Sequence, residues 1–204
     1  MDTAINISFH DPVEIYLVRH GESISAGTYT GSTDVELSAG GRQQARSLSL
    51  VFNQLVFDHC FCSPLGRCRE TFTLLDVDSE CSLVESLKEI DFGDWEGLSF
   101  DQIQSRYPAQ LANWTCEDND FRFPGGEQIR AFNTRVSEWF DKLLTNDFNR
   151  VLIVAHGGVL RAGICHLLGI DSSRAFAFSP KEGAVSKITV TNGFAHLEFF
   201  NCRG

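Results

Sequence analysis

Proline, positive charge and long apolar runs are all scarce in this chain. Its 204 residues include only 5 prolines beside 17 glycines, and 43% are apolar against 22% charged, which is typical of a globular protein and not of a disordered or fibrous one. No apolar run approaches the ~20 residues of a membrane span, so we expect no membrane partner. We expect residues 1–204 to form one domain, because a single core can grow to roughly 250–300 residues.

The scarcity of positive charge limits the possible partners. Lysine and arginine number 17, aspartate and glutamate number 27, and the formal net charge is −10. Such a surface repels nucleic acid, so we expect no nucleic-acid partner. An anionic small molecule would need a locally positive pocket.

The cysteines lack the paired spacing of a zinc site. They are odd in number, and residues 1–4 do not begin a basic and then apolar leader, so we expect reduced thiols in a cytoplasmic protein. The seven are Cys60, Cys62, Cys68, Cys81, Cys116, Cys165 and Cys202.

Two apolar runs, distant in sequence, each end in a histidine followed by glycine. Residues 15–18 lead into Arg19 and His20, and residues 151–155 lead into His156. Each run is a plausible buried strand. In a parallel sheet both histidines would emerge at the carboxyl edge, where open α/β folds bind their ligands.

Apolar spacing and turn signals predict the other elements. Asn192-Gly193 is a strong hairpin signal, so we expect an α/β fold whose mainly parallel sheet has an antiparallel edge. The loop 115–126 is long enough to be a lid or a binding loop. Helices are predicted at about 40–55, at 127–144 and at 157–168, and weakly at 99–114. A further helix is predicted after Ser63-Pro64, with Arg67 in its first turn. Strands are predicted at 57–62, 82–84, 186–191 and 194–200.

The residues by themselves predict an anion site. Backbone N–H groups at strand-to-glycine turns and a guanidinium such as that of Arg19 are the usual means of binding phosphate. A lone histidine is more often structural. That interpretation applies to His10, His59, His166 and His196.

Four ordered motifs resemble those of the histidine phosphatase superfamily, which includes the cofactor-dependent phosphoglycerate mutases. The resemblance runs from about residue 15 to residue 168 and implies a three-layer α/β/α sandwich of the phosphoglycerate mutase type. The motifs are Arg19-His20-Gly21-Glu22 with the loop 31–37 after it, the Ser-Pro-Leu-Gly-Arg motif at 63–67, Leu87-Lys88-Glu89, and Ala155-His156-Gly157-Gly158.

The resemblance implies a phosphatase that acts through a phosphohistidine. His20 would be the nucleophile, and Arg19, Arg67 and His156 would bind the phosphate oxygens. Gly157 would contribute a further phosphate contact. No metal or cofactor is implied.

One position departs from the family pattern. Many members carry an asparagine six residues beyond the nucleophile, where this chain has Ala26. Either Ser23, Ser25 or a backbone group of the loop replaces it, or phosphate binding is weaker.

The resemblance selects Glu89 as the general acid and base, with a pKa expected above ~4.3. The residues alone cannot choose among it and Glu85, Asp91, Asp94 and Glu96. A solvated acidic turn is the simpler interpretation of that stretch.

The substrate is less clearly indicated than the chemistry. Segments 92–97 and 123–127 look most like those of bacterial α-ribazole-5′-phosphate phosphatases of cobalamin synthesis, which act on the nucleotide or on the cobamide 5′-phosphate. Sugar phosphatases of the fructose-2,6-bisphosphatase type share these motifs, and an inactive phospho-ligand or protein-binding module on the same fold is the alternative of another class. An aromatic wall above the phosphate could come from Trp95, Trp114, Phe121 or Phe123, although ordinary packing explains each of them.

Overall fold

The computed structural model describes residues 11–114 and 120–204, and six strands in this part form one sheet. His10 and Cys116, and residues 115–119 of the suggested lid, lie outside the described residues. The spatial order of the strands is β3-β2-β4-β1-β5-β6. They are β1 (Val13–Arg19), β2 (His59–Cys62), β3 (Cys81–Leu83), β4 (Arg150–Ala155), β5 (Val185–Thr191) and β6 (Phe194–Cys202).

Helices cover both faces of this sheet. The helices are α1 (Ala39–Phe52), α2 (Gly66–Leu75), α3 (Phe100–Arg106), α4 (Pro108–Asn113), α5 (Ile129–Leu144) and α6 (Gly157–Leu168), with 3-10 turns at Glu85–Leu87, Gly93–Trp95 and Ser172–Ala177. Tyr16 and Val18 of β1 pack with α1 and α2, whereas Ile15 and Leu17 pack with α5 and α6. The fold is therefore the predicted α/β/α sandwich, and burial on both faces explains why β1 is apolar throughout.

Strands β1 and β4 are parallel, as predicted, and they are neighbours in the sheet. Ile15 lies beside Val151, and Val18 lies beside Val154. Both strands therefore end at the same edge, which brings His20 and His156 to one place.

The remaining elements refine the predictions. The antiparallel edge is a two-stranded hairpin, in which β5 pairs with β1 and β6 pairs with β5. Asn192 and Gly193 have φ values of 51° and 80°, the left-handed conformations of a type I′ turn. Helix α2 begins at Gly66, two residues after Pro64, and its first free N–H donates to Asp34 Oδ1 at 2.7 Å.

Within the described ranges, no helix is long and apolar enough to cross a bilayer.

Candidate active site

His20 lies just beyond β1 and has one free ring nitrogen. Its Nδ1 lies 2.7 Å from the carbonyl oxygen of Gly21. Because a carbonyl can only accept, Nδ1 carries the proton and Nε2 keeps its lone pair. The side chain is buried, but it lines a pocket open to solvent. Nε2 of His20 is therefore the ring nitrogen with a lone pair available for attack on an electrophile.

His156 packs against His20 at the start of α6. The two ring centroids are 5.0 Å apart. Nδ1 of His156 accepts from Arg67 Nε at 3.2 Å, and Nε2 lies 2.8 Å from Ser63 Oγ. Since Arg67 can only donate, His156 is a neutral imidazole whose Nε2–H donates to Ser63. Sequence reasoning placed Ser63 in a motif but gave it no role.

Arg67 is buried between the histidines and the loop 31–33. Its Nη1 donates to Thr33 O at 2.8 Å, and its Nη2 donates to Gly31 O at 2.6 Å. With Nε on His156, these bonds hold the guanidinium in one orientation. A cation is thus fixed beside the two imidazoles.

Glu96 in turn holds that loop. Its carboxylate accepts from the backbone N–H groups of Gly31 and Ser32, each at about 3.0 Å, and from Phe92 N at 3.1 Å. Because these donors occupy the carboxylate, Glu96 positions the loop that binds Arg67.

Glu89 is the carboxylate, among the five considered, that lines the pocket of His20. Its Oε2 accepts from Gly158 N at 2.9 Å, at the beginning of α6, and its Oε1 accepts from Ile90 N at 3.1 Å. By contrast, Glu85 is exposed and pairs with Lys88. The geometry therefore favours Glu89 as the acid and base.

Arg19 lies at the same site and has a buried hydrogen-bond donor. Its Nη1 donates to Pro180 O at 3.0 Å and its Nη2 to Glu182 Oε1 at 2.8 Å. Its Nε is buried without a hydrogen-bond partner in the described structure, and a Cβ added at Gly157 would lie 3.4 Å from it. An unpaired buried N–H beside a helix N-terminus is suited to an incoming oxyanion.

These side chains surround a polar pocket of about 120 Å³. Most of the predicted site residues line it, but His156 and Gly157 do not; they lie next to His20 and Arg19. Ala26 lines the pocket, with four hydroxyls around it. The lining residues are Arg19, His20, Ser23, Ser25, Ala26, Gly27, Thr28, Thr30, Arg67, Glu89 and Glu182.

Sequence reasoning missed Thr28, Thr30 and Glu182. Thr28 Oγ1 donates to Ser25 O at 2.8 Å and lies 3.0 Å from Thr30 Oγ1, so a hydroxyl pair lies close to Ala26. No local signal marks Glu182, because its partner Arg19 is 163 residues away.

Burial and nearby cations keep both histidines neutral. Burial, followed by Arg67 and Arg19, lowers the pKa of His20 to about 3, although the hydrogen bond to Gly21 opposes the shift. Burial also holds the pKa of His156 well below its usual range, with further contributions from His20 and the arginines. A neutral imidazole at neutral pH can attack phosphorus directly.

Acid should destabilise the fold through His20. Its pKa is about 3 in the folded protein and ~6.5 when unfolded, so between these values the unfolded chain binds more protons. The free energy of unfolding should therefore fall as the pH drops below ~6.5, by about 1.4 kcal/mol per pH unit for this one group. Urea unfolding from pH 7 to pH 4 measures the slope, and His20→Gln should reduce it by that amount. An unchanged slope in the variant would contradict the low pKa.

An apolar cavity of about 210 Å³ adjoins the polar pocket, and Glu89 lines both. Trp114 and Phe123 of the suggested aromatic wall line this cavity, but Trp95 and Phe121 do not. Trp95 is fully buried and packs behind the wall against Phe123, at 5.3 Å between ring centroids. The rings that line the cavity are those of Tyr29, Phe92, Trp114, Phe123, Phe132 and Phe176.

The described residues contain no group of three or more His, Cys, Asp or Glu placed to hold a metal ion.

Comparisons with known proteins show what this chain is similar to. The model of the histidine phosphatase superfamily, branch 1, matches residues 15–203. The chain is 33% identical to the adenosylcobalamin/alpha-ribazole phosphatase of Salmonella typhimurium, over 94% of this chain and 97% of that protein. It is 32% identical to phosphoserine phosphatase 1 of Hydrogenobacter thermophilus, over 86% of each. The crystal structure of the alpha-ribazole phosphatase from Shigella flexneri superposes with a TM-score of 0.86 at 30% identity, covering 93% of this chain and 96% of that one.

Proposed function

Because this chain belongs to branch 1 of the histidine phosphatase superfamily, we propose that it hydrolyses a phosphomonoester whose alcohol carries an aromatic group, with α-ribazole 5′-phosphate or the cobamide 5′-phosphate of cobalamin biosynthesis as the substrate. The observation that carries this proposal is the position of Glu89 between the polar pocket and the apolar cavity. An acid that protonates the leaving alcohol must lie beside it. The alcohol therefore extends into the aromatic cavity.

The first step transfers the phosphoryl group to His20. The Nε2 lone pair attacks phosphorus, the ester P–O bond breaks, and the departing oxygen takes the proton of Glu89. Arg19 Nε and the remaining N–H donors of Arg67 stabilise charge on the phosphoryl oxygens, and Ser23 and the N–H of Gly157 are further donors beside them.

The second step releases the phosphate. The Glu89 carboxylate takes a proton from water as the water oxygen attacks phosphorus. The P–N bond breaks, and its electron pair returns to Nε2 of His20. The products are inorganic phosphate, neutral His20 and protonated Glu89, so the site is ready for another turnover.

The apolar cavity favours an aromatic alcohol over serine. Aromatic rings gain free energy from burial against other rings, whereas the charged serine of phosphoserine would lose hydration there. Phosphoserine remains the second candidate, because Arg161 lines the cavity beside Glu89 and its charge complements the carboxylate of serine.

A substrate panel tests the proposal. We expect kcat/KM for α-ribazole 5′-phosphate to exceed that for phosphoserine, fructose bisphosphate and 3-phosphoglycerate by about tenfold or more, since burying one ring is worth roughly 1.5–3 kcal/mol. Phe176→Ala should lower kcat/KM for the ribazole ester alone, because Phe176 lines the cavity. Phe194→Ala is the matched control, since Phe194 is exposed in the hairpin.

A preference for phosphoserine that Phe176→Ala leaves unchanged would overturn the aromatic substrate. Phosphate binding without turnover of any ester would indicate the inactive binding module instead.

We also propose a cytoplasmic location. The six cysteines of the described residues are free thiols, as in proteins of a reducing compartment. Recovery of the protein in an oxidising compartment on cell fractionation would contradict it.

A further inference from the structure

Arg19 has an acidic partner inside the phosphate pocket. Glu182 accepts from Arg19 Nη2 at 2.8 Å and lines the same pocket as His20. We propose that Glu182 competes with phosphate for Arg19, weakens the binding of free phosphate and so promotes release of the product. This inference rests on the phosphate site of the proposed function and not on the identity of the alcohol.

The guanidinium geometry makes the two anions competitors. Nε and Nη2 form the edge of an arginine that binds an oxyanion through two parallel hydrogen bonds. In Arg19, Nη2 is held by Glu182 and Nε is buried without a partner in the described structure. A phosphate that binds both nitrogens must share Nη2 with the carboxylate or displace it.

The backbone around Glu182 is fixed to the site. The N–H of Gly183 donates to the carbonyl oxygens of Arg19 and His20, each at 3.1 Å. Gly183 has a φ of +59°, and a Cβ there would lie 2.4 Å from Gln44 Cβ, so this close approach requires glycine. Gly183 therefore holds Glu182 close to the end of β1, where the strand leads into His20.

Competition by Glu182 for Arg19 lowers the affinity for free phosphate more than it lowers the affinity for the substrate. A substrate has contacts in the apolar cavity as well as in the phosphate pocket, whereas free phosphate has only the ionic ones. Two like charges a few ångströms apart weaken binding, but the side chains of Arg19 and Glu182 are 26% and 29% exposed, and water and salt screen the effect. We expect roughly a fivefold to tenfold effect on phosphate affinity. Faster phosphate release raises kcat wherever release limits turnover.

The test compares three variants with 4-nitrophenyl phosphate as substrate and inorganic phosphate as inhibitor. Glu182→Gln keeps an acceptor for Arg19 but removes the charge, and Glu182→Ala removes both. Glu36→Gln is the matched control, because Glu36 is 79% exposed and pairs with Arg42 outside the pocket. The inhibition constant for phosphate should fall about fivefold to tenfold in both Glu182 variants, KM should fall by a smaller factor, and the control should match the parent.

An inhibition constant that is unchanged or higher in the Glu182 variants would overturn the inference, since Glu182 would then only orient Arg19. Calorimetric titration with inorganic phosphate separates this failure from failure of the proposed function. A parent that binds phosphate without hydrolysing any ester counts against the phosphatase, whereas tighter phosphate binding by Glu182→Gln still supports competition.

Discussion

His20→Ala should lower kcat by roughly 10⁴-fold or more, as the removal of other catalytic nucleophiles does. His20 Nε2 is the nitrogen left unprotonated by the bond from Nδ1 to Gly21, and His156 cannot replace it because its Nε2 is engaged with Ser63. The variant should also form no phosphoenzyme. Turnover of 4-nitrophenyl phosphate measures the first effect, and alkaline quenching after a pulse of radiolabelled ester measures the second.

A second histidine provides the control for this experiment. His166 lies on α6 outside the pocket, where it pairs with Asp141 at 2.7 Å, so His166→Ala should retain parental turnover and labelling. Circular dichroism and phosphate binding show whether His20→Ala is folded. Turnover by folded His20→Ala equal to that of the parent would remove the nucleophile role.

Glu89→Gln should lower the rate of the first turnover by roughly 10²–10³-fold for an alkyl phosphate, but by less than about tenfold for 4-nitrophenyl phosphate. An alkoxide leaves only when it is protonated, whereas nitrophenolate leaves without help. Glutamine retains an acceptor for Gly158 N, so the start of α6 is preserved. The rate of the first turnover is measured because it reports the formation of the phosphohistidine. The later hydrolysis of the phosphohistidine is the same step for both esters and would hide a difference between them.

Glu85→Gln is the matched control for Glu89→Gln. Glu85 is 78% exposed and pairs with Lys88, so both esters should react at the parental rate in this variant. Equal losses for the alkyl and aryl esters in Glu89→Gln would remove the acid role from Glu89.

The convergence of His20 and His156 could be predicted from the sequence because it depends on local patterns. A continuous apolar run marks a strand buried on both faces, and such strands lie inside parallel sheets. Glycine after each histidine marks the turn that ends the strand. The pairing of Val18 with Val154 confirmed this prediction.

The choice of the acid could not be predicted from the residues alone. Five carboxylates lie within a short stretch, and nothing in their spacing shows which one reaches the pocket. Folding separates them, because Glu89 meets Gly158, 69 residues away, and Glu96 meets Gly31, 65 residues away. Those contacts depend on how the helices and loops pack on the sheet.

By itself, the sequence determined the α/β fold and the family, and it predicted that His20, His156, Arg19 and Arg67 lie at one site. The periodicity of apolar residues and the residues that favour turns are properties of neighbouring positions in the chain. Ordered motifs can likewise be recognised from the sequence alone. Only the tertiary structure decided the ring nitrogen that is free on His20, the low pKa of that imidazole, the aromatic cavity beside Glu89 and the pairing of Arg19 with Glu182. Each of these depends on burial and on charges brought together from distant parts of the chain, which no local pattern encodes.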